Sequence, residues 1–161
     1  MPDVGSLFRL DDRVAIVTGG TRGIGLAVAH GFAAAGAKVV VASRKADACA
    51  AAEQELRDAG HDALGVPCHL GDLDDVSALV AATVDRFGGL DVLVNNGANP
   101  LAQPAGGFTA DAFAKSVDVN VRGPLFLIQD ALPHLRASEH ASIVNVVSAG
   151  AFMFSAASER V

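Results

Sequence analysis

Tyrosine and tryptophan are both missing from these 161 residues, and 8 phenylalanines supply every benzenoid ring. No phenol is therefore available to any chemistry that these residues carry out. Cysteine is scarce: Cys49 and Cys68 are too few for a disulfide framework, and their spacing fits no metal site. No apolar run approaches the ~18 residues that a membrane-spanning helix needs. Basic residues number 12 against 18 acidic ones, for a formal charge of -6. That balance leaves no surplus to displace counterions from a nucleic-acid backbone. The opening segment MPDVGSLFRLDD carries acids and lacks an apolar signal core, so the expected location is cytoplasmic. What is present is a 51% apolar chain, which excludes a disordered polymer and suits a single domain over residues 1–161.

Short β-type runs alternate with amphipathic stretches. RVAIVT (13–18) and AKVVVAS (37–43) read as strands buried on both faces. Between them Ile24, Ala27, Val28, Phe32 and Ala35 recur at helical spacing and predict one buried face, ended by Gly36. A second helix is expected over 46–59. DALGVPC (62–68) is a third strand in which Pro67 suits the end. Asp72 caps a helix with the stripe Val76, Leu79, Val80, Val84 and Phe87, followed by a fourth strand over 91–95. A polar loop (96–107) leads into a long helical region, 109–136, that Pro124 is expected to kink or interrupt. SIVNVV (142–147) is the fifth strand. This alternation predicts an α/β fold, a doubly wound parallel sheet of Rossmann type with right-handed crossovers.

The first strand runs straight into Thr18-Gly19-Gly20-Thr21-Arg22-Gly23-Ile24-Gly25. Glycines between a strand and a helix permit a tight turn, close approach of the backbone to a pyrophosphate, and close helix–sheet packing. The helix N-terminus then directs amides and a favourable dipole at the anion. The residue ending the second strand distinguishes two nicotinamide cofactors: a carboxylate accepts from a ribose 2′-hydroxyl, whereas a cation accommodates a 2′-phosphate. Here the strand ends in Ser43-Arg44-Lys45, with no acid before Asp47, and Arg22 lies in the glycine turn. This pattern favours NADP over NAD, since guanidinium forks suit phosphate oxygens. The competing reading makes Arg44 and Lys45 solvated residues opening a helix.

At these residues the chain resembles the short-chain dehydrogenase/reductase family. The family's TGxxxGxG pattern matches Thr18, Gly19, Gly23 and Gly25; Asn95-Asn96-Gly97-Ala98 echoes its Asn-Asn-Ala-Gly segment with the last two exchanged. Its catalytic Asn matches Asn120 in DVNVRGP, and its catalytic Ser matches Ser148 in IVNVVSAG. The resemblance implies hydride transfer between a nicotinamide and a small-molecule carbonyl or alcohol. Asn120 would hold a water in a proton relay and Ser148 would bond the substrate oxygen. The implied cofactor-binding residues are Thr18, Gly19, Thr21, Arg22, Gly23, Ile24, Gly25, Ser43, Arg44, Asn95, Asn96 and Gly97.

Three departures follow. The family usually has an Asp after the third strand that contacts adenine, whereas this chain reads Cys68-His69-Leu70. His69 is open to two readings, a donor or stacking partner for the base, or a half-exposed loop histidine. The Gly97/Ala98 exchange keeps both residues small, so backbone access to a ribose is expected to survive. Most consequentially, the family's general acid/base is a Tyr about thirteen residues beyond the Ser, with a Lys about four further on. Counting from Ser148 reaches Val161, and the last lysine is Lys115. A phenol with pKa near ~10 needs a neighbouring cation to work near neutral pH, and neither group is available here.

The resemblance also implies a seven-stranded sheet ordered 3-2-1-4-5-6-7, so the fold is expected to be truncated after the fifth strand. That would leave SIVNVV as an open edge and Phe152, Met153 and Phe154 uncovered. Family members pair into homo-oligomers, an assembly in doubt for so short a chain. The expectation is weak cofactor binding, poor solubility and no turnover for this polypeptide alone. The alternative is a non-catalytic dinucleotide-binding or interaction module on the same fold.

Overall fold

The Val- and Ile-rich runs pair side by side as parallel strands in a computed structural model that describes residues 4–101, 103 and 106–148. Strands β1 (Val14–Thr18), β2 (Lys38–Ser43), β3 (Ala63–Pro67), β4 (Val92–Asn95) and β5 (Ser142–Asn145) form one sheet ordered β3-β2-β1-β4-β5. Helices α1 (Gly23–Ala34), α2 (Ala46–Asp58), α3 (Leu73–Phe87), α4 (Ala110–Val117) and α5 (Gly123–Ala137) make the crossovers. A π-helical turn, Asp118–Arg122, joins the last two. Pro67 ends β3, where a missing amide costs least. The Asp72 carboxylate caps α3 by accepting from the Asp74 amide, and Gly88 closes it in the left-handed conformation.

Parallel strands covered on both faces need apolar side chains on both, which is why β1 is buried along its whole length. Val14 and Ile16 enter one core with Leu79, Leu93 and Leu127; Ala15 and Val17 enter the other with Ala29, Ala33 and Leu56. The two cores lie on opposite faces of the sheet and make it a doubly wound α/β fold of Rossmann type. Among the described residues β5 pairs with β4 alone; Ile143 and Val144 on it, and Val146 and Val147 just beyond it, are exposed. Phe152, Met153, Phe154 and Val161 lie outside the described residues. Among the described residues no helix is long and apolar enough to cross a membrane.

Two expectations are corrected. The buried face of α1 is Gly25, Ala29 and Ala33, not the set Ile24, Ala27, Val28, Phe32 and Ala35. Small residues let the helix lie close to the sheet, so Val28 and Phe32 pack at the rim and Ile24 is 66% exposed. The interruption assigned to Pro124 falls just upstream, in the π turn, while Pro124 itself occupies the first turn of α5. The π turn runs directly into α5 with helical backbone at Arg122, so the proline removes one amide from a continuous helical segment. Because an α-helical carbonyl bonds the amide four residues on, Pro124 leaves the Asn120 carbonyl without that donor.

Replacing fully buried Ile16 by Ala is expected to cost about 2–5 kcal/mol through lost burial and a residual cavity. Leu125→Ala, at a residue 59% exposed, should change stability by no more than about 0.5 kcal/mol. Urea denaturation of both variants checks the contrast, and equal losses would contradict this assignment of the core.

Candidate functional site

The ends of β1 and β4 are tied together by one buried hydroxyl. Thr18 Oγ1 donates to the Val94 carbonyl at 3.2 Å and accepts from the Asn96 and Gly97 amides, each at 3.0 Å. Asn96 Nδ2 returns a bond to the Thr18 carbonyl at 2.9 Å. The following turn has no room for side chains. Gly19 has φ +64°, and a Cβ on it would lie 2.9 Å from Asn96 Nδ2. A Cβ on Gly25 would collide with the Gly19 carbonyl oxygen. Helix α1 therefore starts hard against the turn, with Arg22 at its N-cap making no side-chain cap bond. The first-turn amides and the positive end of the dipole are left for an anion.

A cleft of about 990 Å³ opens over this turn, across the carboxyl ends of β1, β2, β3 and β4. It brings together Gly19, Thr21, Arg22, Gly23, Ile24, Gly25, Ser43, Arg44, Asn96 and Gly97. Lys45 and His69 line it as well. Among the described residues no ion pair engages Arg22, Arg44 or Lys45, although Arg57, Arg86, Lys115 and Arg122 are all paired with carboxylates. Three cations thus face the cleft with their charge unspent. Ser43 Oγ lies 3.4 Å from Cys49 Sγ. Cys68 also reaches the cleft, but burial pushes its thiol up to about 12, with Asp75, Cys49 and Asp72 adding to the effect. It stays protonated and is not a nucleophile.

The remaining sequence-derived residues take other positions. Thr18 is buried beneath the turn and acts through the hydrogen bonds above. Asn95 is buried and donates from Nδ2 to Asn145 Oδ1 at 2.9 Å, so it bridges β4 to β5 and does not line the cleft; its own Oδ1 has no partner among the described residues. Asn120 sits in the π turn, where Oδ1 accepts from the Asn99 amide at 2.7 Å. Its Nδ2 donates to the Asn99 carbonyl at 2.8 Å and to Ser116 Oγ at 3.1 Å. Its side chain is occupied in clamping the loop after β4, while its carbonyl lacks an α-helical donor. Ser148 is the last described residue and stands outside the cleft lining.

Sequence reasoning passes over Leu70, Gly71, Asn99, Asp118 and Val119, which also line the cleft. Asn99 belongs to a loop whose polarity is plain in the sequence, but its partnership with Asn120 across 21 positions has no local signal. Leu70 fills the space beside Gly97, where a Cβ would come 2.8 Å from Leu70 Cδ1. The exchange of Gly97 and Ala98 therefore has a packing reason in this chain. Among the described residues no group of three His, Cys, Asp or Glu side chains could hold a metal ion.

A family model described as short chain dehydrogenase matches residues 13–159. Human "Dehydrogenase/reductase SDR family member 4" is 38% identical over 144 residues, covering 89% of this chain and 52% of that protein. The chain spans about half the length of the curated relatives it matches. Among solved structures, a metagenomic short-chain oxidoreductase in complex with NADP is 31% identical with a TM-score of 0.81, covering 86% of this chain and 63% of that one. A variant of actinorhodin polyketide ketoreductase with NADPH is 32% identical with a TM-score of 0.83, covering 91% and 57%.

Thr18→Val keeps the shape of residue 18 but removes the acceptor for two amides. The change is expected to cost about 1–3 kcal/mol, the usual penalty for orphaning buried donors. Denaturation midpoints measure it, and an unchanged midpoint would mean that the hydroxyl does not hold the strand ends together.

Proposed function

The chain belongs to the short chain dehydrogenase family, and on that footing we propose that it is an NADP-dependent oxidoreductase acting on a small-molecule carbonyl or alcohol. The observation that carries the cofactor preference is the set of unpaired cations, Arg22, Arg44 and Lys45, on one cleft beside an uncapped helix N-terminus. A 2′-phosphate meets Arg44, Lys45 and the Ser43 hydroxyl, where a carboxylate would have repelled it. The pyrophosphate is held by the amides after Gly19 and by Thr21 and Arg22, and the nicotinamide ribose by the backbone at Asn96 and Gly97. Two of the similar structures are complexes with NADP and NADPH, which supports this reading.

The cofactor, when bound, supplies the hydride. What this chain contributes is positioning and part of a proton path. Ser148 donates a hydrogen bond to the substrate oxygen. Asn120, whose side chain is spent on Asn99, holds a water through the carbonyl that Pro124 leaves without an α-helical donor. A proton must still be given or taken at the substrate oxygen, and these 161 residues include no tyrosine to do it. We therefore propose that the 161 residues bind NADP(H) but do not by themselves turn over a carbonyl. We place the protein in the cytoplasm and do not extend the family's homo-oligomeric state to these 161 residues.

The lack of tyrosine favours a second reading, a non-catalytic dinucleotide-binding or interaction module. The DNA beyond codon 161 separates the two: a Tyr-x-x-x-Lys encoded in any frame shortly downstream supports the enzyme, and its absence supports the module.

Arg44→Ala is expected to weaken NADPH binding about tenfold or more, the value of a charge-assisted bond, and to leave NADH binding nearly unchanged. Calorimetric titration reads both; equal losses for the two cofactors would count against a 2′-phosphate pocket. Steady NADPH oxidation by the purified chain across a carbonyl panel would refute the proposed inactivity.

A further inference from the structure

The cleft extends past the cations to a turn that lies beyond the phosphate contacts. In a dinucleotide the chemical order is pyrophosphate, ribose, base, and here the strand order from the glycine turn outward is β1, β2, β3. With the pyrophosphate at the end of β1 and the ribose at the end of β2, the base falls beside the segment that follows β3. That segment holds His69, which is exposed and lines the cleft.

The His69 ring is fixed by its neighbours. Nδ1 accepts from the Gly71 amide at 3.1 Å, and the His69 amide donates to the Asp75 carboxylate at 2.9 Å. Only glycine at position 71 allows this seat, since a Cβ there would lie 2.8 Å from His69 Cε1. The Gly71 carbonyl is held in turn by Arg122, whose Nε is 3.1 Å from the Asp118 carboxylate. An Nδ1 that accepts from a backbone amide places the proton of the neutral ring on Nε2. No hydrogen bond among the described residues engages that Nε2–H. The nearby carboxylates are committed elsewhere, Asp72 to the Asp74 amide, Asp75 to the His69 amide and Asp118 to Arg122. The base end of the cleft therefore offers a donor where a carboxylate would offer an acceptor.

We propose that His69 reads the purine by donating Nε2–H to an acceptor on its edge, so that the site accepts a 6-keto purine as readily as adenine. Adenine presents ring nitrogens to such a donor, and hypoxanthine presents O6 and N7. A carboxylate instead selects the adenine N6 amino group and repels O6. The inference rests on the dinucleotide reading above.

The test titrates the full chain with NADPH and with its hypoxanthine analogue, following nicotinamide fluorescence, which no tryptophan or tyrosine of this chain obscures. The two dissociation constants are expected to agree within about threefold, less than the worth of one neutral hydrogen bond. His69→Asp should then favour adenine by about tenfold, because an acceptor faces O6. His69→Ala should weaken both ligands alike, by about three- to tenfold. A wild-type preference for adenine of tenfold or more that survives in both variants would overturn the role of His69 while leaving the dinucleotide site intact. Failure of both ligands to bind the wild-type chain would instead overturn the dinucleotide reading itself, and this inference with it.

Discussion

The cleft depends on how closely the backbone after β1 approaches the end of β4. The Thr18 hydroxyl sets that spacing by serving two amides of the Asn96–Gly97 segment while donating to Val94. Once it is set, Gly19 and Gly25 must lack side chains, because each Cβ would enter space already filled by Asn96 or by the turn itself. The helix can then begin directly over the strand ends, which turns its first amides towards the cleft. One buried threonine thus links packing to the exposure of those amides, and the absence of bulk at two glycines is its consequence.

Charge is distributed to match. Most cations with a carboxylate in reach are paired and belong to the surface of the fold, as in Arg57–Glu53 and Arg86–Asp62. Among the described residues, those on the cleft at the end of β2 are left without one. In a chain with a formal charge of -6 this local excess stands out against the overall balance. It concentrates positive potential over the glycine turn and the carboxyl end of β2. Farther along, the His69–Gly71–Arg122–Asp118 series joins the turn after β3 to the π turn that carries Asn120. The far end of the cleft and the π turn are therefore held by one connected set of bonds.

Much of this arrangement is legible in the residues, for identifiable reasons. Strands buried on both faces leave continuous apolar runs, and clustered glycines between a strand and a helix mark a turn where the backbone must stay bare. The buried face of α1 is harder to read, because Gly25, Ala29 and Ala33 carry little hydrophobic signal beside Ile24 and Phe32, although close packing selects the small residues. The π turn escapes sequence reasoning because its hydrogen bonds differ from α-helical ones by a single residue, a change that leaves the apolar spacing nearly intact. Asn95 and Asn96 look alike by adjacency, yet consecutive residues at a strand end face opposite ways, and one bridges to β5 while the other holds the turn. The Asn99–Asn120 clamp depends on which loop folds over which helix, and no local pattern encodes that.

The proposed function rests on a cleft that takes a dinucleotide carrying a 2′-phosphate. Side-by-side titration of the unaltered chain with NADPH and NADH, at one ionic strength, tests it most directly. The expected result is saturable binding of both, with NADPH tighter by about tenfold or more, as charge-assisted contacts to one extra phosphate require. Equal affinities, or tighter binding of NADH, would contradict a 2′-phosphate site at the end of β2.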